Sequence, residues 1–281
     1  HSVRGAKSVA IQVTATEAGG GATVTGSPTV SVTPNGASSA TTVTLTESAS
    51  GSKIWRGVYD VPSSGSDGTA TVSLTVSGIS DEAGNTAAVA SSQTTSFIID
   101  NTAPSVTLAY TDGQTPYATG PYKSGNSVTV TATFTETNAL SGTPTLTLVA
   151  GTFTGGTLPT VTLSGSGLVY TGTFTVPAGN GTVTASVGAV DTAGNTLTAT
   201  GQTGFTIDNT APTAALTYAL DATNFASSLS RPAKSGDTVT VKATFTEAIA
   251  LDGTPTITLT QDGNATVPSA NTAMTSTASA L

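Results

Sequence analysis

The stretch Val128-Thr129-Val130-Thr131-Ala132-Thr133-Phe134-Thr135-Glu136 decides the fold class of this chain. Apolar residues fall at every second position. Val128, Val130, Ala132 and Phe134 point one way, and the four threonines point the other. Successive side chains of a β-strand alternate sides, so this is a strand with one buried face. Threonine on the outer face needs no reason beyond its β-propensity. The run returns as Val239-Thr240-Val241-Lys242-Ala243-Thr244-Phe245-Thr246-Glu247, and in weaker form from Val9 to Glu17. Each copy ends on a glutamate.

Other elements recur in the same order around it. Phe97-Ile98-Ile99-Asp100-Asn101-Thr102-Ala103-Pro104 returns as Phe205-Thr206-Ile207-Asp208-Asn209-Thr210-Ala211-Pro212. Gly142-Thr143-Pro144-Thr145-Leu146-Thr147-Leu148 returns from Gly253 to Leu259, and more loosely from Gly26 to Val32. Trp55-Arg56-Gly57-Val58-Tyr59-Asp60-Val61-Pro62 matches Tyr170-Thr171-Gly172-Thr173-Phe174-Thr175-Val176-Pro177. Asp81-Glu82-Ala83-Gly84-Asn85 matches Asp191-Thr192-Ala193-Gly194-Asn195. The period of about 110 residues is too long for a solenoid coil and suits a seven-stranded immunoglobulin-like sandwich. The expectation is therefore an all-β chain of tandem immunoglobulin-like β-sandwich domains in an elongated array. The phase of the repeat sets three units: residues 1–100, lacking a first strand; residues 101–208, complete; and residues 209–281, the N-terminal half only. An incomplete sandwich leaves open edges and half a core. Two expectations follow: a window cut from a longer array, or terminal units completed by neighbouring chains.

Composition limits the function. The chain has 281 residues, 37% of them hydrophobic and 9% charged. Low charge with short alternating apolar runs favours folded β-domains over disorder. Eight basic residues against sixteen acidic ones give a net charge of −8, the wrong balance for a nucleic-acid surface and a suitable one for attracting cations. There is no cysteine, so neither a disulfide nor a thiolate metal site exists. No apolar run approaches the roughly 18–20 residues of a membrane span. The chain opens on His1-Ser2-Val3 without Met or signal peptide, as a mature product or an excised piece would. With His1 the sole histidine, triad-type nucleophilic chemistry lacks its usual base, and no enzyme is expected. Asn180-Gly181-Thr182 and Asn264-Ala265-Thr266 match a short glycosylation sequon.

The linker Ile-Asp-Asn-Thr-Ala-Pro, the strand ending in Phe-Thr-Glu and the turn Asp-Thr-Ala-Gly-Asn together resemble the bacterial immunoglobulin-like domains of large repetitive surface proteins and adhesins. The resemblance covers essentially the whole chain, with the outer units matching in part. It implies an extracellular or cell-surface location, in an adhesin stalk, a surface layer or an extracellular filament. It also implies calcium at domain junctions.

The acids of this chain can be read against that implication. Glu17, Glu136, Glu247, Asp81, Asp191, Asp100 and Asp208 all sit at recurring positions. In such a sandwich the loop after the second strand and the loop before the last strand share the pole that receives the linker. Glu136 and Asp191 are thus expected to converge on Asp100 and Asn101. Glu247 is expected to approach Asp208 and Asn209, and Glu17 to share a pole with Asp81. Carboxylates with amide and backbone carbonyls make a hard-oxygen site for calcium, which takes six to eight oxygens in irregular geometry. The competing reading is a bare turn and linker, because Asp and Asn form such turns through their own backbone. That reading leaves the strand-end glutamate unexplained.

Three functions compete. The first is a structural or adhesive stalk stiffened by calcium. The second is a self-assembling filament or surface-layer subunit exchanging strands with identical neighbours. The third is a carbohydrate-binding module. Its partner would be a surface glycan, as against a protein receptor, other repeats or identical subunits. The third needs an exposed aromatic platform. Trp55 and Tyr170, at one repeat position, read better as core residues. Tyr117 and Tyr122, in a Pro/Gly-rich loop, read as exposed candidates for a ligand or subunit contact.

Overall fold

A computed structural model describes residues 2–5, 7–17, 24–63, 66–76, 79–89, 93, 95–114, 120–221, 223–234, 236–246, 254–257 and 272–273. Among them there is no helix. The chain divides into two compact units, His1–Asp208 and Asn209–Leu281. The larger unit contains two separate hydrophobic cores.

The N-terminal core is built from β1 (Ser2–Val3), β2 (Ser8–Thr14), β3 (Thr29–Thr33), β4 (Thr41–Val43), β5 (Thr46–Glu47), β6 (Ile54–Asp60), β7 (Gly68–Thr75) and β8 (Ser96–Ile99). They form two sheets, ordered β2-β6-β5 and β1-β8-β7-β3-β4. The next core is built from β9 (Ser105–Thr111), β10 (Ser127–Thr135), β11 (Thr145–Ala150), β12 (Ser164–Ser166), β13 (Val169–Thr175), β14 (Gly181–Val190) and β15 (Thr196–Ile207). Its sheets run β12-β13-β10-β9 and β11-β14-β15. Both arrangements are β-sandwich-like, with antiparallel ladders throughout apart from the short parallel pairing of β1 with β8. Its counterpart in the second sandwich is a single parallel bridge from Tyr122 to Ile207.

The opening stretch of sequence is β10, the second sandwich's central strand. Val128, Val130 and Ala132 are fully buried and Phe134 nearly so. Val128, Val130 and Phe134 each contribute about 1.5–3 kcal/mol by leaving water. Phe134 meets Tyr170 edge-on at 6.0 Å. Phe205 of β15 gathers Tyr110 at 5.1 Å, Phe174 at 5.4 Å and Tyr122 at 5.7 Å. Tyr122 is therefore a core residue, which corrects the expectation of an exposed ligand contact. Pro/Gly density marked the loop before it, but Tyr122 itself is drawn inward by the Phe205 ring. Tyr117 lies outside the described residues. Trp55 and Tyr170 are both buried, and neither offers a stacking platform.

The two sandwiches share one register. β2 meets β6 with Val9 opposite Tyr59, Ile11 opposite Gly57 and Val13 opposite Trp55. β10 meets β13 with Val128 opposite Phe174, Val130 opposite Gly172 and Ala132 opposite Tyr170. The glycines in mid-strand have a steric cause. A methyl group on Gly57 would fall 2.5 Å from the Thr44 carbonyl oxygen, and one on Gly172 2.8 Å from that of Thr162. The adjoining chain passes too close for any side chain at this point.

The C-terminal unit contains β16 (Thr213–Ala219), β17 (Thr240–Thr246), β18 (Thr256–Ile257) and β19 (Thr272–Ala273), paired as β16-β17 and β18-β19. β16 and β17 pair Ala214 with Phe245 as β9 and β10 pair Val106 with Phe134. The β16 face is mostly exposed, with Leu216 41% accessible.

Alternation on β10 can be tested directly. Val130→Ala is expected to cost about 2–3 kcal/mol through lost burial and an incompletely closed cavity. Thr133→Ala, on the exposed face, stays within about 0.5 kcal/mol. Denaturant unfolding followed by the fluorescence of the second sandwich's tyrosines reads both.

Candidate metal centre

The chain leaves the first sandwich at Ile99 and enters the second at Ser105, and Asp100 stands at this passage. Asp100 is 4% exposed and Asp191 1% exposed, unusual burial for ionisable side chains. Glu136 follows the last residue of β10, and Asp191 follows the last residue of β14. Asp100, Glu136 and Asp191 each offer a carboxylate oxygen, and these oxygens lie within 4.8 Å of one another. Among the described residues this is the one such cluster of three acids.

The second sandwich builds its side of the site from two loops. The Asp191 carboxylate accepts the Gly194 N–H at 2.6 Å and the Asn195 N–H at 2.9 Å on Oδ1. Gly194 adopts φ 96°, a left-handed conformation that glycine takes without strain. The buried Asn195 amide then donates twice through Nδ2, to Asp191 Oδ2 at 2.8 Å and to the Asp100 carbonyl at 3.0 Å. Glu136 Oε1 accepts the N–H groups of Thr137 at 2.6 Å and Asn138 at 3.1 Å. The Asn138 amide donates to Asp100 Oδ2 at 2.6 Å.

Glu136 Oε2 differs from these oxygens. It is buried and has no hydrogen-bond partner. A buried carboxylate oxygen left unpaired is costly. No Lys or Arg among the described residues comes within 4.0 Å of the three acids, since the one ion pair found there is Arg231–Asp237. Arg4 does pass beside the turn: a methyl group on Gly194 would meet its Nε at 3.5 Å. Three like charges thus gather at one pole with a basic group nearby but none in contact.

Asn101 is placed otherwise than the metal-ligand expectation had it. Its Oδ1 accepts the Gly5 N–H, and its own N–H donates to Asp67 Oδ1 at 2.9 Å. It turns toward the first sandwich. Asp67 also accepts the Thr102 hydroxyl at 2.6 Å, and the Asp100 N–H donates to the Val3 carbonyl at 2.8 Å. The amides beside the three acids are instead Asn138 and Asn195. Asn195 was visible as the last residue of the recurring Asp-x-Ala-Gly-Asn motif. Asn138 carried no signal beyond following Glu136 by two residues.

Among the described residues, the remaining candidates form no second cluster of three acids. Asp81 sits in a turn like that of Asp191, with Asn85 donating to it from its N–H at 2.8 Å and from its side-chain amide at 2.7 Å. This turn is exposed. Glu17 is half-buried beyond β2, and among the described residues neither it nor Asp81 belongs to a cluster of three acids. The Asp208 N–H donates to the Tyr122 carbonyl at 3.0 Å. Asn209 opens the C-terminal unit. Glu247 lies outside the described residues.

Asn195→Ala is expected to cost about 1–3 kcal/mol, since it leaves a buried carbonyl and a buried carboxylate oxygen short of donors. Asn85→Ala, in the exposed copy, leaves the melting temperature nearly unchanged. It does move a titration. The Asn85 side-chain amide, then its backbone N–H, holds the Asp81 carboxyl below the usual value. A depressed folded pKa adds stability above the ordinary carboxyl pKa, lost as pH falls through the folded value. Asn85→Ala should return the Asp81 titration upward, as read by carboxyl-carbon NMR. No protein-family model matches this sequence and no curated protein matches it, so the interpretation of the site rests on its geometry.

Proposed function

We propose that this chain is a segment of a structural or adhesive cell-surface protein, a rod of immunoglobulin-like repeats stiffened by calcium at their junctions. The observation that supports the reading is the partnerless Oε2 of Glu136, buried beside Asp100 and Asp191. The turn at Asp81 forms without such a cluster, so the turn alone does not require the other acids. A divalent cation supplies what the cluster lacks: a partner for Oε2 and charge to offset three carboxylates.

The donor chemistry suits calcium. Asp100, Glu136 and Asp191 would hold the ion, with the Asn138 and Asn195 amide groups positioning Asp100 and Asp191 through their N–H bonds. The carboxylates are hard oxygen donors, and calcium tolerates an irregular set of them. Asp100 belongs to the linker, whereas Glu136 and Asp191 belong to the second sandwich. An ion held by all three couples linker to sandwich and resists bending there. The role is mechanical, and nothing in it calls for catalysis. The acidic surface, with sixteen Asp and Glu against eight Lys and Arg, favours cation capture.

Calcium titration into metal-free protein should raise the melting temperature of the His1–Asp208 unit, and a chelator should reverse the rise. At a hundredfold excess over the dissociation constant the gain is about 2.7 kcal/mol. Glu136→Gln should abolish most of this response. Without calcium the variant should be no less stable than the parent, because it relieves repulsion. A melting temperature indifferent to millimolar calcium, or an unaltered response in Glu136→Gln, overturns the proposal.

A further inference from the structure

Each repeat carries a base before, and an acid after, one and the same strand. Arg4 stands five residues before Val9 and Glu17 eight after it. Lys123 and Glu136 flank Val128 at the same spacings, and Lys234 and Glu247 flank Val239. Three of the eight basic residues of the chain therefore share one repeat position. The alternation of the strand needs no charge there, so the recurrence has another cause. In the second sandwich the nine residues of β10 run between Lys123 and Glu136, which puts base and acid at opposite poles.

Arg4 shows where the base reaches. Val3 before it accepts the Asp100 N–H at 2.8 Å, and Gly5 after it donates to Asn101 Oδ1. Gly5 leaves the chain no room to shift, since a methyl group on it would fall 2.3 Å from the Ser63 Cα. Arg4 is thus pinned between two residues bonded to the linker. Its Nε, Cζ and Cδ lie 3.5, 3.9 and 4.0 Å from where a methyl group on Gly194 would stand. Gly194 is the residue whose N–H holds Asp191 Oδ1 at 2.6 Å. A cation of the first sandwich therefore lies over the turn that positions an acid of the second. Arg4 is half-buried there, and among the described residues its guanidinium makes no ion pair and no side-chain hydrogen bond. A guanidinium keeps its charge throughout the pH range in which proteins fold.

We infer that Arg4 is a tethered counter-ion, lent by the first sandwich to the cluster of Asp100, Glu136 and Asp191. Its charge offsets part of the repulsion among the three carboxylates, and it lowers the affinity of the cluster for a divalent cation. Neither effect needs a direct bond, because charges act over several ångströms at a partly buried joint. The role also accounts for the recurrence of base and glutamate together. Between the first two repeats, the pole that carries the base meets the pole that carries the acids. The effect on affinity rests on the calcium reading of the site, whereas the effect on the metal-free joint does not.

Two measurements on the full chain test this, with Arg4→Gln removing the charge and Arg4→Lys keeping it. In chelator at low salt, Arg4→Gln should lower the melting temperature by about 1–3 °C. Arg4→Lys should stay close to the parent. The loss should shrink when Glu136→Gln is also present, because the charge that Arg4 offsets is then smaller. It should also fade at about 1 M salt, where screening reaches roughly 3 Å. In calcium titrations at low salt, Arg4→Gln should bind about three- to tenfold more tightly than the parent, the size expected of one charge acting on a divalent ion. Arg4→Lys should again match the parent. The inference is overturned by an unchanged metal-free melting temperature in Arg4→Gln, by the same loss in Arg4→Lys, or by a loss that Glu136→Gln does not reduce. Calcium binding by Arg4→Gln that is equal to or weaker than the parent's overturns it as well. If the metal-free results are as expected but neither parent nor variants respond to calcium, the calcium reading falls and the counter-ion role stands.

Discussion

The hydrogen bond from the Asn195 amide to the Asp100 carbonyl fixes where one sandwich ends and the next begins. Five residues separate Ile99 from Ser105, too few to form independent structure, so neighbours must hold this segment. From the first sandwich, Val3 accepts the Asp100 N–H, Asp67 accepts from Asn101 and Thr102, and Gly5 donates to Asn101. From the second, Asn195 and Asn138 donate to Asp100. Buried polar groups held on both sides stiffen a joint, because leaving any of them unpaired is expensive.

The same joint gathers charge, and the repeat shows that this is not a by-product of turn chemistry. Asp81 with Asn85 and Asp191 with Asn195 are built by matching hydrogen bonds. One turn is exposed and, among the described residues, belongs to no cluster of three acids. The other is buried against Asp100 and Glu136. An Asp-Asn turn satisfies itself wherever the chain places it. The linker and the strand-end glutamate turn it into a cluster, and among the described residues the one buried carboxylate oxygen without a partner lies there.

Much of this was legible in the sequence, for a physical reason. Strand alternation is a local property, so Val128 to Phe134 announced both strand and buried face. Repetition carried the rest: the matched acids at Asp100, Glu136 and Asp191 met because equivalent residues occupy equivalent poles. Where a residue's role depended on a partner that periodicity does not name, the sequence was silent. Asn138 lies in an ordinary loop until Asp100 is brought beside it. Asn101 neighbours Asp100 in the sequence, yet its side-chain oxygen accepts the Gly5 N–H and its backbone N–H bonds Asp67, contacts that periodicity does not name. Tyr122 followed a Pro/Gly-rich loop and looked exposed, but its ring is claimed by Phe205 across the sheet.

The joint and the strand that follows it express one rule of this architecture. The linker after Asp100 does two things in sequence: it closes the joint and then, as β9, completes the following sandwich by covering β10. Joint and strand are covalently continuous, so a pull along the chain would load the Asp100 contacts before it reached the edge of β10. In the rod reading, stiffening Asp100 therefore protects more than an angle. It shields the antiparallel β9–β10 ladder, whose loss would uncover one edge of β10 and remove the Tyr110 ring that packs on Phe205. An ion bound by Asp100, Glu136 and Asp191 would sit on the load path just ahead of the strand whose detachment opens the core, where a few kcal/mol of resistance are most effective.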